Sequence, residues 1–220
     1  MKQTTRGRAQ RQESRSGSAN QKSGRSNSKN GHSDGESLLE KFFVDQLKDI
    51  YYAEEQIIKA LPKMAQATTT EELEDAFNDH LRQTERHVKR LEKVFQSIGK
   101  EPEGKKCPAI DGIIKEAEEI MTETSSGSAT RDAALIIAAQ KVEHYEIATY
   151  GGLVQLAITM GLNRAADILD KTLMEEEDTD ALLTEVAENY INIEAEQEGE
   201  YSWNKESGQE AQGSTAYSMS

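Results

Sequence analysis

Four stretches of the chain repeat apolar residues in steps of three and four, the spacing that puts side chains on one face of an α-helix. The first is marked by Leu47, Ile50, Ile57 and Leu61. The second alternates steps of four and three through Leu73, Phe77, His80, Thr84, His87, Leu91, Val94 and Ile98. Ala139, Val142, Glu143, Glu146, Tyr150, Leu153 and Ala157 share one face of the third. The fourth reads Ala166, Leu169, Leu173, Glu176, Asp180, Leu183, Ala187 and Tyr190. Every stripe is interrupted by groups that belong in water: Glu54 in the first, two histidines in the second, and carboxylates in the third and fourth. No period-two strand stands out between residues 37 and 196, and that span holds three prolines.

Local signals set the expected boundaries. Ser37 is a candidate N-cap for a first helix to about Thr68, with Pro62 bending it near its end. Thr69 and Glu72 have the spacing of a capping box for the second helix, which Gly99 ends. EPEGKKCP cannot continue a helix, and a short amphipathic piece follows with Ile110, Ile113, Ile114, Ala117, Ile120 and Met121. The third helix is expected from about 131 to 160, stopped by Gly161. The fourth is expected from an Asn163 cap to about Glu196. Two short turns flanking one long crossover predict an all-α, ferritin-like four-helix bundle whose crossover carries a short extra helix. Gly151 and Gly152 in the third helix suit close approach of another backbone, within the bundle or across a dimer interface.

Composition divides the chain. Residues 1–35 hold eight Lys/Arg, two acids and almost nothing apolar, which predicts a disordered basic tail over 1–36. Residues 198–220 are similarly polar and are expected to be a disordered C-terminal tail, leaving 37–197 as the bundle domain. The whole chain carries −14 and the first 35 residues +6, so the remainder carries −20. An acidic body argues against nucleic-acid docking on the folded domain, while the basic tail can contact phosphates in a salt-sensitive way. A plainer use of the tail is solubility. One cysteine, Cys107, excludes an intrachain disulfide framework and a Cys-rich zinc site. No membrane-spanning run or signal peptide is evident, and cytoplasm is the default location.

The interrupted stripes carry the chemistry. A buried carboxylate is costly unless something compensates it. Glu143 and Glu146 are an i,i+3 pair that can converge, and Glu176 and Asp180 an i,i+4 pair. His80 and His87 stand seven residues apart, roughly 10 Å along a helix axis, so they suit the flanks of a two-metal site rather than one ion. Carboxylates with one or two imidazoles suit iron or manganese. Taken singly, each residue has a plainer reading. Glu54 can pair with a base at the bundle edge, and the histidines can be satisfied in the core. Glu143 and Glu146 can face solvent, and Glu175, Glu176, Glu177 and Asp178 can be a solvated charge run. All four helices break pattern at matching depth, which favours the joint reading.

The segments YYAEEQIIKALPKMA, HLRQTERHVKRLEKVFQSIG, KKCPAIDGIIKEAEEI, DAALIIAAQKVEHYEIATYGGL and LDKTLMEEEDTDALLTEVAE resemble the bacterial YciE/YciF family over roughly residues 37–196. The resemblance implies a ferritin-like fold related to rubrerythrins, an association with stress responses, a homodimer and a di-metal centre. Carried over by position, the implied metal ligands are Glu54, His80, His87, Glu143, Glu146 and Glu176. His144, in the same motif, is expected behind the ligands or at an interface. Two departures stand out. Glu-x-x-His, usual in di-iron bundles, occurs nowhere, and Thr179 stands three residues after Glu176. Gln83 occupies a second-helix position where the implied pattern has a carboxylate.

Two functions follow as expectations. One is a stress-associated di-iron or di-manganese protein handling peroxide or ferrous iron, with Tyr150 and Tyr51 close enough to donate a hydrogen bond. The other is a non-enzymatic dimeric stress protein whose basic tail binds nucleic acid or an acidic surface. The first is the leading expectation and the second the alternative; the sequence does not choose between peroxide reduction and ferrous oxidation, and it names no catalytic residue.

Overall fold

The computed structural model describes residues 36–206; residues 1–35 and 207–220, where most of the two expected tails fall, lie outside them. Six α-helices occupy the described residues: α1 (Leu38–Ala67), α2 (Glu71–Ser97), α3 (Pro108–Glu123), α4 (Ala129–Thr159), α5 (Asn163–Val186) and α6 (Asn192–Glu206). A π turn, Ala187–Ile191, joins the last two. No strand is present among the described residues.

α1 begins where its cap predicts. Ser37 accepts from the Glu40 amide at 3.1 Å while Glu40 accepts from the Ser37 amide at 2.6 Å, a reciprocal capping box. The helix runs on through Pro62 to Ala67. α2 starts differently from expectation. Thr69 and Glu72 do not cap it; Thr70 is the N-cap and its side chain makes no capping bond. The carboxylate of Asp132, from the first turn of α4, accepts from the amides of Thr69 and Thr70 at 2.8 and 2.9 Å and from the Thr70 hydroxyl at 3.0 Å. A negative group fits there because a helix N-terminus presents unpaired N–H groups and positive partial charge. Since the first turns of α2 and α4 meet, these two helices run in the same direction. The short turns 68–70 and 160–162 reverse the chain, so α1 and α5 run opposite to them. That is the up-down-down-up order of a ferritin-like bundle.

Gly99 and Gly161, with φ of 69° and 73°, end α2 and α4 in the left-handed conformation that glycine adopts without strain. The crossover is pinned along α1: the Lys105 amide donates to the Lys48 carbonyl at 2.9 Å, and the Tyr52 hydroxyl donates to Asp111 at 2.9 Å. α3 then packs on α1 and α4. Buried Cys107 lies 3.3 Å from the Tyr145 hydroxyl, which donates to Asp49 at 3.0 Å.

Two further expectations need correction. Leu162, not Asn163, is the N-cap of α5. The chain also stays helical to Glu206, so the expected boundary at 197/198 falls inside α6. Ile191 is fully buried, and Glu198 accepts from the α4 amides of Ala129 and Thr130 at 2.5 and 2.9 Å. Between α5 and this contact stands the π turn, which shifts the phase of the helix that follows it. Gly151 and Gly152 meet no close backbone within the chain: a Cβ on either would touch nothing within 4 Å.

Candidate metal centre

The four long helices each deliver buried polar side chains to the middle of the bundle. α1 gives Glu54, α2 His80 and His87, α4 Glu143 and Glu146, and α5 Glu176, none more than 3 % exposed. They form two groups whose candidate ligand atoms lie within 4.8 Å of one another: His80, Glu143, Glu146 and Glu176; and Glu54, His87 and Glu176. Glu176 belongs to both. The two histidines fall in different groups, as their seven-residue spacing requires.

His80 Nε2 lies 3.3 Å from Glu143 Oε1. His87 Nδ1 lies 2.9 Å from Glu176 Oε1 and 3.6 Å from Glu54 Oε1. On the far side of that ring, Nε2 is 2.9 Å from Glu175 Oε2, and Arg90 holds the Glu175 carboxylate with two bonds of 2.6 and 2.9 Å. Tyr150, fully buried, donates its hydroxyl to Glu54. The ring of Tyr51 packs edge-on against Phe95 at 5.9 Å.

Among the described residues, nine buried side-chain polar atoms have no hydrogen-bond partner, and all nine belong to these six residues. An unmet buried polar group costs about 1–3 kcal/mol. Two of the nine, His87 Nδ1 and Glu176 Oε1, face each other at 2.9 Å, so the penalty falls mainly on the other seven. The arrangement therefore needs protons or cations. Burial pushes the carboxyl pKa of Glu143 and Glu146 well above the usual range, and the neighbouring Glu176 adds to it. Glu54 is also raised, chiefly by burial. Burial lowers His80. It works the same way on His87, but Glu176 and Glu54 overcome it and push that imidazole up to about 10. Glu175 is drawn down to about 2: burial opposes the shift, while Arg90 and His87 more than offset it. Four carboxylates and two imidazoles in a water-excluded core can hold metal ions, and two divalent cations match the charge of the four carboxylates.

The remaining candidates sort by geometry. His144 is 70 % exposed and lies 3.3 Å from Asp180, outside both groups. The fourth stripe is rotated slightly from its expected phase: Thr172 and Thr179 are buried while Leu173 and Asp180 are half-buried. The two departures from the di-iron pattern meet one another, since the Thr179 hydroxyl lies 3.1 Å from Gln83 Oε1 and 2.9 Å from the Glu175 carbonyl. Glu175 and Arg90 were not legible as site residues. Glu175 stands in a run of acids that reads as surface, and only the distance to His87 distinguishes it.

Residues 38–196 match the family described as a domain of unknown function, DUF892. The chain belongs to the DUF892 family. Within it, the chain is similar to Protein YciF of Escherichia coli K12, 45% identical over 159 residues that make up 72% of this chain and 95% of the relative. The crystal structure of the E. coli stress protein YciF superposes with a TM-score of 0.68 at 44% identity, covering 71% of this chain and 99% of that one. YcfI of Rhodopseudomonas palustris gives 0.66 at 41% identity over 69% and 96%. A Xanthomonas campestris protein, 20% identical, gives 0.58 over 74% and 99% and speaks to the fold alone. The DUF892 match thus covers the bundle with all six buried ligand candidates. No helix among the described residues is long and apolar enough to cross a membrane.

Proposed function

We propose that this chain is a stress-associated di-metal carboxylate protein that binds iron or manganese and acts on peroxide or ferrous iron. What carries the reading is the confinement of all nine unpartnered buried polar atoms to two ligand groups that share Glu176. Glu54, His87 and Glu176 would hold one ion, and His80, Glu143, Glu146 and Glu176 the other. Oxygen-rich sites with imidazoles favour iron or manganese over thiolate-seeking ions. A bound redox metal of this kind supplies one-electron chemistry. The chain's own residues prepare the site for it. Arg90 fixes Glu175, which orients the His87 ring so that Nδ1 faces Glu176 and Glu54. Tyr150 fixes one oxygen of Glu54. The raised pKa values of Glu54, Glu143, Glu146 and His87 mean that metal binding displaces protons.

Elemental analysis of protein purified without chelators tests the reading, with Glu54→Ala and Glu143→Ala as controls. About two ions per chain, reduced in both variants, is the expected result. Wild-type metal content no higher than in the variants overturns it.

We also propose a homodimer, implied by the family resemblance and supported by an open face on α4. Ile137, His144, Gly151 and Ile158 recur every seven residues there, and both isoleucines are more than half exposed. Light scattering of wild type and Ile158→Glu checks it: a wild-type monomer sinks the idea. The alternative function rests on the +6 segment 1–35. It predicts salt-sensitive DNA retardation that disappears when that segment is deleted.

A further inference from the structure

Beneath α3, between that helix, α1 and α4, lies a cavity of about 20 Å³. Its walls are almost wholly apolar, with Ile57 and Met64 from α1, Ile114 and Ala117 from α3, and Ala139 and Val142 from α4. Its inner end is not. His80 and Glu143 line it there, and both His80 nitrogens and Glu143 Oε2 are among the atoms without a partner. At the outer end stand Lys63 and Glu118, an exposed ion pair of 3.0 Å linking α1 to α3. These two residues, with Ala60 and Ile114, also line an open polar groove of about 290 Å³ on the surface between the same helices. The ion pair and the two residues beside it are thus shared by the surface groove and the cavity that reaches His80.

We propose that this cavity is the access path and docking site for a small uncharged apolar molecule, dioxygen in class, on the His80–Glu143 side of the centre. The size suits one small molecule, since about 10–15 Å³ holds a water. The lining decides which kind. Away from its inner end the lining offers water no hydrogen-bond partner, so the body of the cavity favours an apolar guest. Between the apolar walls a metal cation would lose its hydration with nothing in exchange, and peroxide would lose hydrogen bonds. Dioxygen has no strong hydrogen bonds to lose. The inference rests on the metal-centre reading for what the guest meets at the inner end, but the cavity's ability to hold a guest does not depend on metal.

Crystals of the full chain pressurised with xenon, an apolar probe, test occupancy without metal or turnover. Xenon is expected between Ala117 and Val142. It is expected to be absent from Ala117→Leu, which fills the cavity, and from Ala60→Leu, which narrows its outer end and leaves the core intact. In ferrous-loaded protein, both variants should slow oxidation by dioxygen on the order of tenfold, an added barrier of about 1.4 kcal/mol. Oxidation by hydrogen peroxide and iron content should remain at wild-type level. No xenon in the wild-type cavity overturns the proposal, as does dioxygen oxidation unchanged in a folded, cavity-filled variant. Xenon bound in a protein that holds no metal overturns the metal reading and leaves the gas site standing.

Discussion

Glu175 shows how much of a buried centre depends on a residue that is only half buried. Its carboxylate bonds to His87 on the ring nitrogen opposite the one facing Glu176 and Glu54. A carboxylate there fixes the ring and keeps the proton on Nε2, leaving Nδ1 for a cation. Arg90 in turn keeps Glu175 ionised and in place through a bidentate pair. Glu175→Gln and Arg90→Met should therefore lower metal affinity by about 10- to 100-fold, the usual range for partners of a ligand. Competition titration with a metal-sensitive dye measures this, and unchanged affinity in both variants would exclude the positioning role. The same scale shows what the pattern could not convey. A glutamate beside Glu176 and an arginine three residues after His87 look like ordinary surface charges in the sequence.

At the scale of elements, the two ways of starting a helix differ in what they fix. The Ser37–Glu40 box is local, and four residues suffice to read it. The start of α2 is held by Asp132, more than sixty residues away, and that bond ties α2 and α4 in parallel. Asp132→Ala strips three hydrogen bonds from one N-terminus and should destabilise the chain by about 1–3 kcal/mol. Ser37→Ala, at an exposed end, should cost about 1 kcal/mol. Denaturant unfolding of the two variants distinguishes them; equal losses would mean that Asp132 acts as no more than a local cap. α6 belongs to this scale as well. Its sequence, NIEAEQEGEYSWNKE, has almost no apolar face, so the periodicity that located the other helices carries only to about Glu196. Helix here follows from buried Ile191 and from Glu198 at the start of α4, both tertiary contacts.

For the whole molecule, the metal-free bundle carries an electrostatic debt that sets its pH response. A carboxyl whose folded pKa is raised retains a proton that the unfolded chain has released above about 4.3, so stability falls as pH rises. Glu54, Glu143 and Glu146 all have this sign. His87, raised to about 10, has it too: its stabilisation is complete below about 6.5 and is lost as pH rises through about 10. His80, lowered by burial, has the opposite sign, but only below about 6.5. Glu175, drawn down to about 2, matters only on the acid side. Between pH 7 and 9 the remaining contributions agree, and the Tm of metal-free protein should fall across that window. Added manganous ion should raise Tm and flatten the slope, because a ligand that binds only the folded state stabilises it by mass action. A Tm that rises with pH, or is indifferent to metal, contradicts this account.

The sequence by itself determined the four long helices, the order of the bundle and the six glutamates and histidines that the structure buries together at its centre. The second stripe shows why: seven of its eight positions, from Leu73 to Val94, are buried in the structure. Helical periodicity is a local property, and a charged group on an apolar face signals itself without knowledge of its neighbours. Only the tertiary structure decided how those residues divide into two groups around Glu176, which ring nitrogen faces which carboxylate, and that Thr179 lies against Gln83. It also decided the Asp132 cap and the apolar cavity beside His80. These features depend on distances between helices far apart in the chain, and such distances are set by packing, which no single stripe encodes.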